Sequence, residues 1–331
     1  MSLTILKGGM LDTIQDAGRF GYQHLGINPT GTMDRFAASI ANALVGNRPD
    51  EAVIELHFPA SVFLFDQQAI IAFAGADFNA TINGEPIPIN QTLLINKSSI
   101  LQFQTKKNKA RCYIAVKGGF KINKWLNSSS TNLKAEAGGL KGDRFKKDDV
   151  IELNSEFDLS NILGTNDFKI LAWKANDGWS ENEQNEILLL PGNEWDWLDK
   201  NSKEKLVSGS FSISSNSDRM GYRLKGEILT TTINEELVSS AICFGSIQLL
   251  PDGQLIILMA DHQTTGGYPR VATIISAHLS RVAQMNAGEK IRFRFTDQAT
   301  AEKLFMKQKL HLLQLQNACK LRLENFIHEI N

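Results

Sequence analysis

The densest group of chemically useful side chains lies in residues 261–270, which read D-H-Q-T-T-G-G-Y-P-R. The histidine can act as an acid or a base near neutral pH, and the arginine can hold a carboxylate or phosphate through two hydrogen bonds. An apolar strand pattern precedes this stretch and Pro269 can open a helix, so we predict a strand-to-helix loop. Its Thr-Gly-Gly amides and the helix N-terminus would cradle an oxyanion. The alternative is a glycine-rich turn around a hydrogen-bonded core histidine. The candidate residues of this loop are His262, Gln263, Thr265, Gly267, Tyr268 and Arg270.

A second group of candidates follows from an octamer that occurs twice. R-x-G-Y-x-x-x-G begins at Arg19 and again at Arg219, and an aspartate (Asp16, Asp218) closely precedes each copy. We predict two related domains that each present an arginine and a tyrosine on a glycine-bounded turn, the alternative being two unrelated turns. Arginines in such turns suit an anionic substrate. The substrate-binding candidates here are Gln15, Arg19, Tyr22 and Asp34, and the catalytic candidates are Asp218, Arg219 and Arg223 together with His262.

Two of these assignments have a structural alternative. Asp218 can pair with Arg219 and fix the turn, which would leave Arg223 for the ligand. Asp34 precedes an apolar helical stripe, so it is as good a candidate for a helix N-cap as for a catalytic acid.

The composition excludes several classes of protein. The chain has 331 residues with 42% hydrophobic and 21% charged content, which is typical of a globular protein with sizeable cores and favours two domains. A net charge of -1 argues against non-specific binding of nucleic acid or an anionic membrane. No apolar run reaches the ~18–20 residues of a membrane span, and no signal peptide precedes the first strand. We therefore predict a cytoplasmic protein.

Common catalytic motifs are also missing. Three scattered cysteines and dispersed histidines form neither a disulfide framework nor a metal cluster. The sequence contains no phosphate-binding G-x-x-x-x-G-K-[ST] loop, no dinucleotide-binding G-x-G-x-x-G fingerprint and no G-x-S-x-G nucleophile elbow. We predict no bound metal and no tightly bound cofactor.

Strand patterns dominate the elements that must position these candidates. Apolar or alternating runs at residues 69–74, 111–116, 187–190, 255–258 and 291–295 predict strands. Asn83-Gly84 predicts a hairpin between residues 80–82 and 87–89, and Pro251-Asp252-Gly253 predicts a second turn. Helical patterns are fewer. They cover residues 36–44 with a stop at Gly46, a stretch opening at Pro269 with an inner face of Val271, Ile274, Ile275 and Leu279, and residues 299–326.

These patterns give a mainly β fold with a few helices, in two domains of barrel or sandwich type. We place the first domain at residues 1–155 and a polar linker at 156–186. The second domain is placed at residues 187–297 and a helical tail at 298–331.

The longer motifs resemble a known family. They are TIQDAGRFGY (13–22), GTMD (31–34) and ANALVGN (41–47) in the first half, and SDRMGYRL (217–224) and DHQTTGGYP (261–269) in the second. They are similar to the biotin-dependent carboxyltransferase group, also called allophanate hydrolase subunit 2. That group includes the C subunit of bacterial 5-oxoprolinase and the corresponding half of the carboxyltransferase domain of urea carboxylase. The resemblance covers about residues 3–297.

The resemblance implies two cyclophilin-like β-barrel domains related by an internal pseudo-repeat. It also implies a B-type partner subunit and a separate A subunit, which together open the lactam of 5-oxoproline to glutamate and consume ATP. The small-molecule substrate and ATP would belong to the complex. Biotin would enter only on another chain, because Met306-Lys307 is followed by Gln308 and not by the methionine of a biotin attachment motif.

Three alternatives remain open at this point. The first is carboxyl transfer from carboxybiotin to a small urea-like amide. The second is a regulatory role in which the domains bind an inhibitor of a kinase and relieve the inhibition. Prolyl isomerisation is the weakest, because a cyclophilin-like fold alone says nothing about chemistry.

Overall fold

The computed structural model describes residues 2–176, 186–233 and 235–328. The chain forms two compact units. The first falls within residues 1–18, 34–178 and 310–331, and the second within residues 19–33 and 179–309. Strands outnumber helices in the described residues, so the prediction of a mainly β fold with a few helices is confirmed.

The first unit contains twelve strands and two helices among its described residues before the final helix. In chain order they are β1 (Ser2–Lys7), β2 (Thr13–Gln15), α1 (Arg35–Leu44), β3 (Val53–His57), β4 (Val62–Phe65), β5 (Ala69–Gly75), β6 (Ala80–Ile82), β7 (Glu85–Pro86), β8 (Gln91–Ile95), β9 (Ile100–Phe103), β10 (Arg111–Val116), β11 (Val150–Glu152), α2 (Ser160–Leu163) and β12 (Phe168–Lys174).

These strands form a sandwich of two six-stranded sheets. One sheet has the order β11-β1-β4-β9-β6-β7 and the other β12-β8-β5-β10-β3-β2. Both sheets contribute to one core, in which Ile5 and Phe63 of the first sheet join Phe73 and Ile114 of the second. Helix α1 packs on β5 and β10 of the second sheet.

The second unit is built around a closed barrel. Its elements are β13 (Glu186–Pro191), α3 (Lys200–Ser208), β14 (Phe211–Ile213), β15 (Gly221–Lys225), β16 (Ser240–Ala241), β17 (Ser246–Leu249), β18 (Leu255–Leu258), β19 (Thr265–Gly266), β20 (Arg270–Ile274), α4 (Leu279–Ala283) and β21 (Lys290–Phe295). The barrel order is β13-β20-β17-β18-β15-β14-β21, closed by the parallel pair β13 and β21. Ile291 and Phe293 of β21 fill the barrel while the alternating charged residues, Lys290, Arg292 and Arg294, are exposed, as the alternation predicted.

A long helix, α5 (Gln298–His328), follows the barrel and confirms the predicted helical tail; residues 329–331 of that prediction lie outside the described residues. No helix in the described part of the chain is both long enough and apolar enough to cross a membrane.

Both predicted hairpin turns are present. Asn83 and Gly84 have φ values of 50° and 90°, the positive values that this turn type requires, and they join β6 to β7. The second strand of that hairpin is Glu85–Pro86, earlier than predicted. Residues 251–253 join β17 to β18. Turn chemistry is local, which is why the sequence located both turns.

The predicted helix after Pro269 is wrong. Residues 270–274 form strand β20, which pairs with β13 and β17. Val271 and Ile274 have a helical spacing of three residues, which would place them on opposite faces of a regular strand. The pairing register shifts within β20, and both residues are buried in the barrel core. The short helix α4 begins only at Leu279. Over such a short run the two periods are not separable, and pairing within the barrel decides the outcome.

Residues 156–186, predicted as a linker, carry regular structure. They contain α2 and β12, and β12 pairs with β8 at the edge of the second sheet, with Phe168 opposite Ile95. The polar composition that suggested a linker lies outside β12, whose own residues, FKILAWK, are largely apolar although most of them are exposed at the sheet edge. Residues 177–185 of this prediction lie outside the described residues.

The two octamers have different local structures. Both belong to the second unit, because residues 19–33 group with it. In the first copy Gly21 and Gly26 have positive φ on either side of a short 3₁₀ turn. In the second copy Gly221 begins strand β15 and pairs with Leu258. The shared letters therefore do not give a shared turn.

Candidate functional site

The stretch 261–270 is a loop between two barrel strands, β18 and β20. Inside it, the two-residue strand β19 pairs with β16, Thr265 lying opposite Ala241. No helix follows directly, so the prediction that a helix N-terminus assists anion binding here is wrong. The loop is held by contacts at both of its ends.

Asp261 anchors the first end through a buried ion pair with Arg219. Arg219 Nε donates to Asp261 Oδ2 at 2.8 Å, and Nη2 donates to Oδ1 at 3.1 Å. The Asp261 amide also donates to the Arg219 carbonyl at 2.8 Å. Arg219 is only 5% exposed. This two-pronged geometry is the strong form of the interaction, and it commits the guanidinium to a protein carboxylate.

The same pair holds residues 28–31 in place. Arg219 Nη2 donates to the Gly31 carbonyl at 2.6 Å, and Asn28 Nδ2 donates to the Asp261 carbonyl at 2.9 Å. Met33 ends this segment in the core of the barrel. Segment 19–33 is thereby fixed to the loop although it lies far away in sequence.

Glu194 anchors the other end of the loop. Its carboxylate accepts from Arg270 Nε at 3.0 Å, from Nη2 at 2.8 Å and from the Arg270 amide at 2.8 Å. Burial alone would raise the pKa of the Glu194 carboxyl, but the hydrogen bonds and charge of Arg270 outweigh it and hold that pKa below its ordinary value. Arg270 Nη1 also donates to the Ala241 carbonyl at 3.2 Å.

Between these anchors the loop lies close to its neighbours at two glycines. A Cβ at Gly266 would lie 2.7 Å from Nε2 of the buried Gln248, and one at Gly267 would lie 3.2 Å from the Leu237 carbonyl. A larger residue at either position would require these neighbours to shift.

The loop exposes polar groups on its outer side. Gln263, Thr265 and Tyr268 are exposed, whereas His262 is buried and its Nδ1 lies 2.5 Å from the Gln263 carbonyl. Amide and hydroxyl groups of this kind bind a neutral amide or carbonyl through hydrogen bonds. Arg219 and Arg270 shape the loop, and its outer side chains are available to a ligand.

Asp218 and Arg223 lie outside this arrangement. Asp218 is exposed and accepts from the amides of Met220 and Gly221 at 2.8 and 3.1 Å, so it fixes its own turn. The suggested Asp218–Arg219 pair is replaced by Arg219–Asp261. Arg223 is exposed on β15, on the opposite face from the buried Tyr222.

The first octamer supplies a buried arginine. Arg19 is 1% exposed and its amide donates to the Pro29 carbonyl at 2.7 Å. Tyr22 is half-buried and immediately precedes the 3₁₀ turn. Both residues lie in the second unit, with Arg219 and the loop.

Gln15 and Asp34 lie in the first unit and are engaged in its interior. Gln15 Nε2 donates to Thr13 Oγ1 at 3.0 Å and to the Thr131 carbonyl at 3.2 Å. Asp34 is the N-cap of α1, where its Oδ1 accepts from the amides of Phe36 and Ala37 at 3.1 and 3.0 Å. The N-cap interpretation of Asp34 is confirmed.

A buried polar network continues from Asp34. Its amide donates to the Tyr113 hydroxyl at 2.8 Å, and that hydroxyl donates to Glu55 Oε2 at 2.9 Å. Burial and the nearby charge of Glu55 raise the pKa of Tyr113 well above its ordinary value, so the phenol keeps the proton that it donates.

Sequence reasoning missed several residues that hold these positions. Glu194 and Asp261 had no assigned role, and Asn28 was not singled out. In the first unit the same holds for Ser128 and Ser130, whose hydroxyls donate to the carboxylate of Asp16, the residue noted before the first octamer, at 2.7 and 2.6 Å. A partner that lies far away along the chain leaves no local pattern. The described residues contain no group of three or more His, Cys, Asp or Glu side chains that could hold a metal ion.

A closed barrel, a two-sheet sandwich and a loop fixed between two arginine–carboxylate pairs define the class of the protein. The chain belongs to the carboxyltransferase domain family, subdomains A and B, whose profile matches residues 25–295. The resemblance found in the sequence motifs is thereby confirmed. The match ends before α5.

Individual relatives are subunits or parts of enzymes. The chain is 33% identical over 303 residues to the 5-oxoprolinase C subunit of Haemophilus influenzae, covering 92% of this chain and 94% of the relative. It is 35% identical over 292 residues to the 5-oxoprolinase C subunit of Escherichia coli, covering 88% and 90%. The crystal structure of K. lactis urea amidolyase superposes with a TM-score of 0.84 at 23% identity. That match covers 95% of this chain and 20% of the urea amidolyase chain, and it shows a shared fold.

Proposed function

We propose that the chain is the C subunit of an ATP-dependent 5-oxoprolinase, acting with a B-type partner subunit and a separate A subunit. The observation that supports this most is the length of the match. The two 5-oxoprolinase relatives match over about nine-tenths of both chains, whereas the urea amidolyase structure matches over a fifth of its own length.

The chemistry of the reaction suits the exposed side of the loop. A lactam is a poor electrophile, so its opening needs phosphorylation of the carbonyl oxygen or stabilisation of the oxyanion that develops there. The Gln263 amide and the Thr265 hydroxyl can donate hydrogen bonds to such an oxygen. The ion pairs at Asp261 and Arg270 hold these donors in a fixed arrangement, which is what transition-state stabilisation requires.

The test is release of glutamate and phosphate from 5-oxoproline and ATP. The chain is assayed alone, with its B partner, and with both A and B. Turnover that requires this chain and appears only in the full set is the expected result. No turnover in a complex shown to be assembled would contradict the proposal.

Variants of the loop then test the site within the active complex. Gln263→Ala and Thr265→Ala change exposed side chains, so we expect assembly to be unchanged and kcat/KM to fall about 10²-fold for the more important donor. Lys225→Ala, exposed on the barrel strand β15, is the matched control. Full activity of both loop variants would remove the loop from the site.

A second candidate, carboxyl transfer, is favoured by the family profile itself. It would need biotin on another chain, because Lys307 in α5 is followed by Gln308 and not by the second methionine of an attachment motif. Activity that depends on a biotinylated carrier and is inhibited by avidin would support this candidate and exclude the first.

A further inference from the structure

Helix α5 is apolar on two opposite faces. From residue 310 onward its inner face packs on the first unit, where Phe36 lies 6.1 Å from His311 and Trp173 lies 6.5 Å from Phe326, measured between ring centroids. His311 Nε2 also donates to the Asn176 carbonyl at 3.0 Å. One apolar face explains how a surface helix binds its own protein. It leaves the second face unexplained.

The outer face carries large apolar side chains in solvent. Met306 is 64% exposed, Leu310 is 55%, Leu313 is 53% and Leu321 is 61%. At 100° per residue, Met306, Leu310 and Leu313 fall within about 60° of each other. They lie opposite the buried Cys319.

The spacing along this face is that of a short coiled-coil seam. Met306, Leu310, Leu313 and Asn317 are separated by four, three and four residues, which places them at successive d, a, d and a positions. Asn317 is exposed and is the polar residue that follows Leu313 on the same side of the helix. A single asparagine at an a position pairs with its counterpart in a parallel dimer and fixes the register.

Charges beside the seam favour a second copy of the same helix. Glu302 is at the preceding g position and Lys307 at the following e position, and both are exposed. In a parallel pair, each g residue faces the e residue five positions later on the other helix, so Glu302 of each copy meets Lys307 of the other. Lys303 and Lys320 fall on the seam itself, and like charges there would limit it to residues 306–317.

We propose that α5 is a self-association surface, through which two copies of the chain pair as a short parallel coiled coil along Met306, Leu310, Leu313 and Asn317. A seam of two heptads buries less area than the ~1,600 Å² of a standard interface. The dimer is therefore weak and depends on concentration. The surface lies outside the part of the chain matched by the family profile.

The first experiment is sedimentation of the full chain over a wide range of concentrations. The wild type should move from monomer to dimer, and Leu310→Glu with Leu313→Glu should abolish the dimer. Asn325→Glu adds a charge to the same helix away from the seam and is the matched control. Circular dichroism and thermal unfolding confirm that each variant is folded.

A charge exchange tests the parallel arrangement. Glu302→Lys alone and Lys307→Glu alone should each raise the dimer dissociation constant ~10-fold, because each places like charges opposite one another twice. Mixing the two variants should restore the wild-type affinity in a heterodimer, since both contacts become attractive.

Restoration on mixing is the result that supports the proposal. A chain that stays monomeric at its highest soluble concentration would overturn it, including the case where this face binds only the B-type partner. A dimer that Leu310→Glu with Leu313→Glu leaves intact would overturn it as well.

Discussion

Arg219 and Arg223 are four residues apart and have opposite environments, which makes them a matched pair for mutation. Arg219→Ala leaves the Asp261 carboxylate, 12% exposed, without its counter-charge. We expect the free energy of unfolding to fall by about 3 kcal/mol. Arg223→Ala removes an exposed side chain and should change it by less than about 0.5 kcal/mol.

Denaturant unfolding followed by tryptophan fluorescence measures both variants, with Trp195 and Trp197 as reporters in the second unit. If the two variants are equally stable, the Arg219–Asp261 pair contributes nothing to the fold, and Arg219 stays a catalytic candidate.

At this scale the sequence predicted which residue types would be important and not what they contact. His262, Arg219 and Arg270 were selected for their chemistry, and all three hold the loop or lie within it. Their partners are far away along the chain. Arg219 reaches Asp261 over 42 residues and Gly31 over 188, and Arg270 reaches Glu194 over 76. Pairings at such separations depend on the closed barrel, which no local spacing describes.

The loop at 261–270 should lose order when one of its anchors is neutralised. Glu194→Gln keeps the shape of the side chain and removes the charge that pairs with Arg270. We expect amide hydrogen exchange across residues 263–268 to accelerate ~10-fold or more, since a hydrogen bond to a charged group contributes about 1.5–3 kcal/mol.

Gln263→Ala is the control for that measurement, because it truncates an exposed side chain and keeps both anchors. In the wild type, the lowered pKa of Glu194 keeps the anchor ionised throughout neutral pH. Protection of the loop should decline only as the pH falls through that lowered pKa. Unchanged exchange in Glu194→Gln would mean that the backbone contacts alone fix the loop.

Helix α1 provides a test of the role of Asp34. Asp34→Ala removes the acceptor for two N-terminal amides and should lower the free energy of unfolding by about 1 kcal/mol. Asp34→Ser restores an N-cap and should recover most of that loss. If Asp34→Ser is stable but inactive in the assembled complex, the carboxylate has a chemical role in addition to capping.

Element type was predictable wherever a local rule was decisive. Asp34 capped its helix and Asn83-Gly84 turned its hairpin because both effects involve neighbouring residues. The strand at 270–274 was mistaken for a helix because Val271 and Ile274 have a helical spacing, and the register shift that accompanies their burial in a strand depends on pairing with β17. Strand β12 was mistaken for a linker because the residues around it are polar, although its own residues are largely apolar.

For the whole molecule, the buried His278 predicts loss of stability in mild acid. Its Nδ1 accepts from the Leu188 amide at 3.0 Å. Burial, and then the charges of Arg281 and Arg294, lower the pKa of His278 from 6.5 to about 3. Between pH 6.5 and about pH 3 the unfolded chain binds a proton at His278 and the folded chain does not. Stability therefore decreases as the pH falls through this range. The slope from this group approaches ~1.4 kcal/mol per pH unit.

His278→Asn should remove that slope, because the asparagine oxygen can accept from Leu188 without titrating. The comparison is made as the difference in unfolding free energy between variant and wild type from pH 7 to pH 4. Asp12 contributes the opposite sign, since burial raises its pKa to about 6 and the folded state takes up a proton first as the pH falls. The contribution of Asp12 is the same in the variant and in the wild type, so it cancels in the difference between their unfolding free energies. A difference that does not change with pH would contradict the role of His278.

Composition and strand content were sufficient to predict the class of fold, and the motifs were sufficient to predict the family. The organisation of the second unit was not predictable in this way. Domain boundaries inferred from composition assume that a domain is one continuous stretch, whereas residues 19–33 belong to a unit whose remainder begins after residue 178.

That discontinuity has a consequence for synthesis in the cell. A ribosome adding about 5–20 residues per second takes roughly 10–40 s to proceed from Gly31 to Arg219, which are 188 residues apart. During that interval Met33 has no barrel core to enter, and Asn28 has no Asp261 carbonyl to bond. Segment 19–33 therefore remains undocked on the nascent chain, with Met33 unburied, until the barrel is synthesised. Slower translation would prolong that exposure.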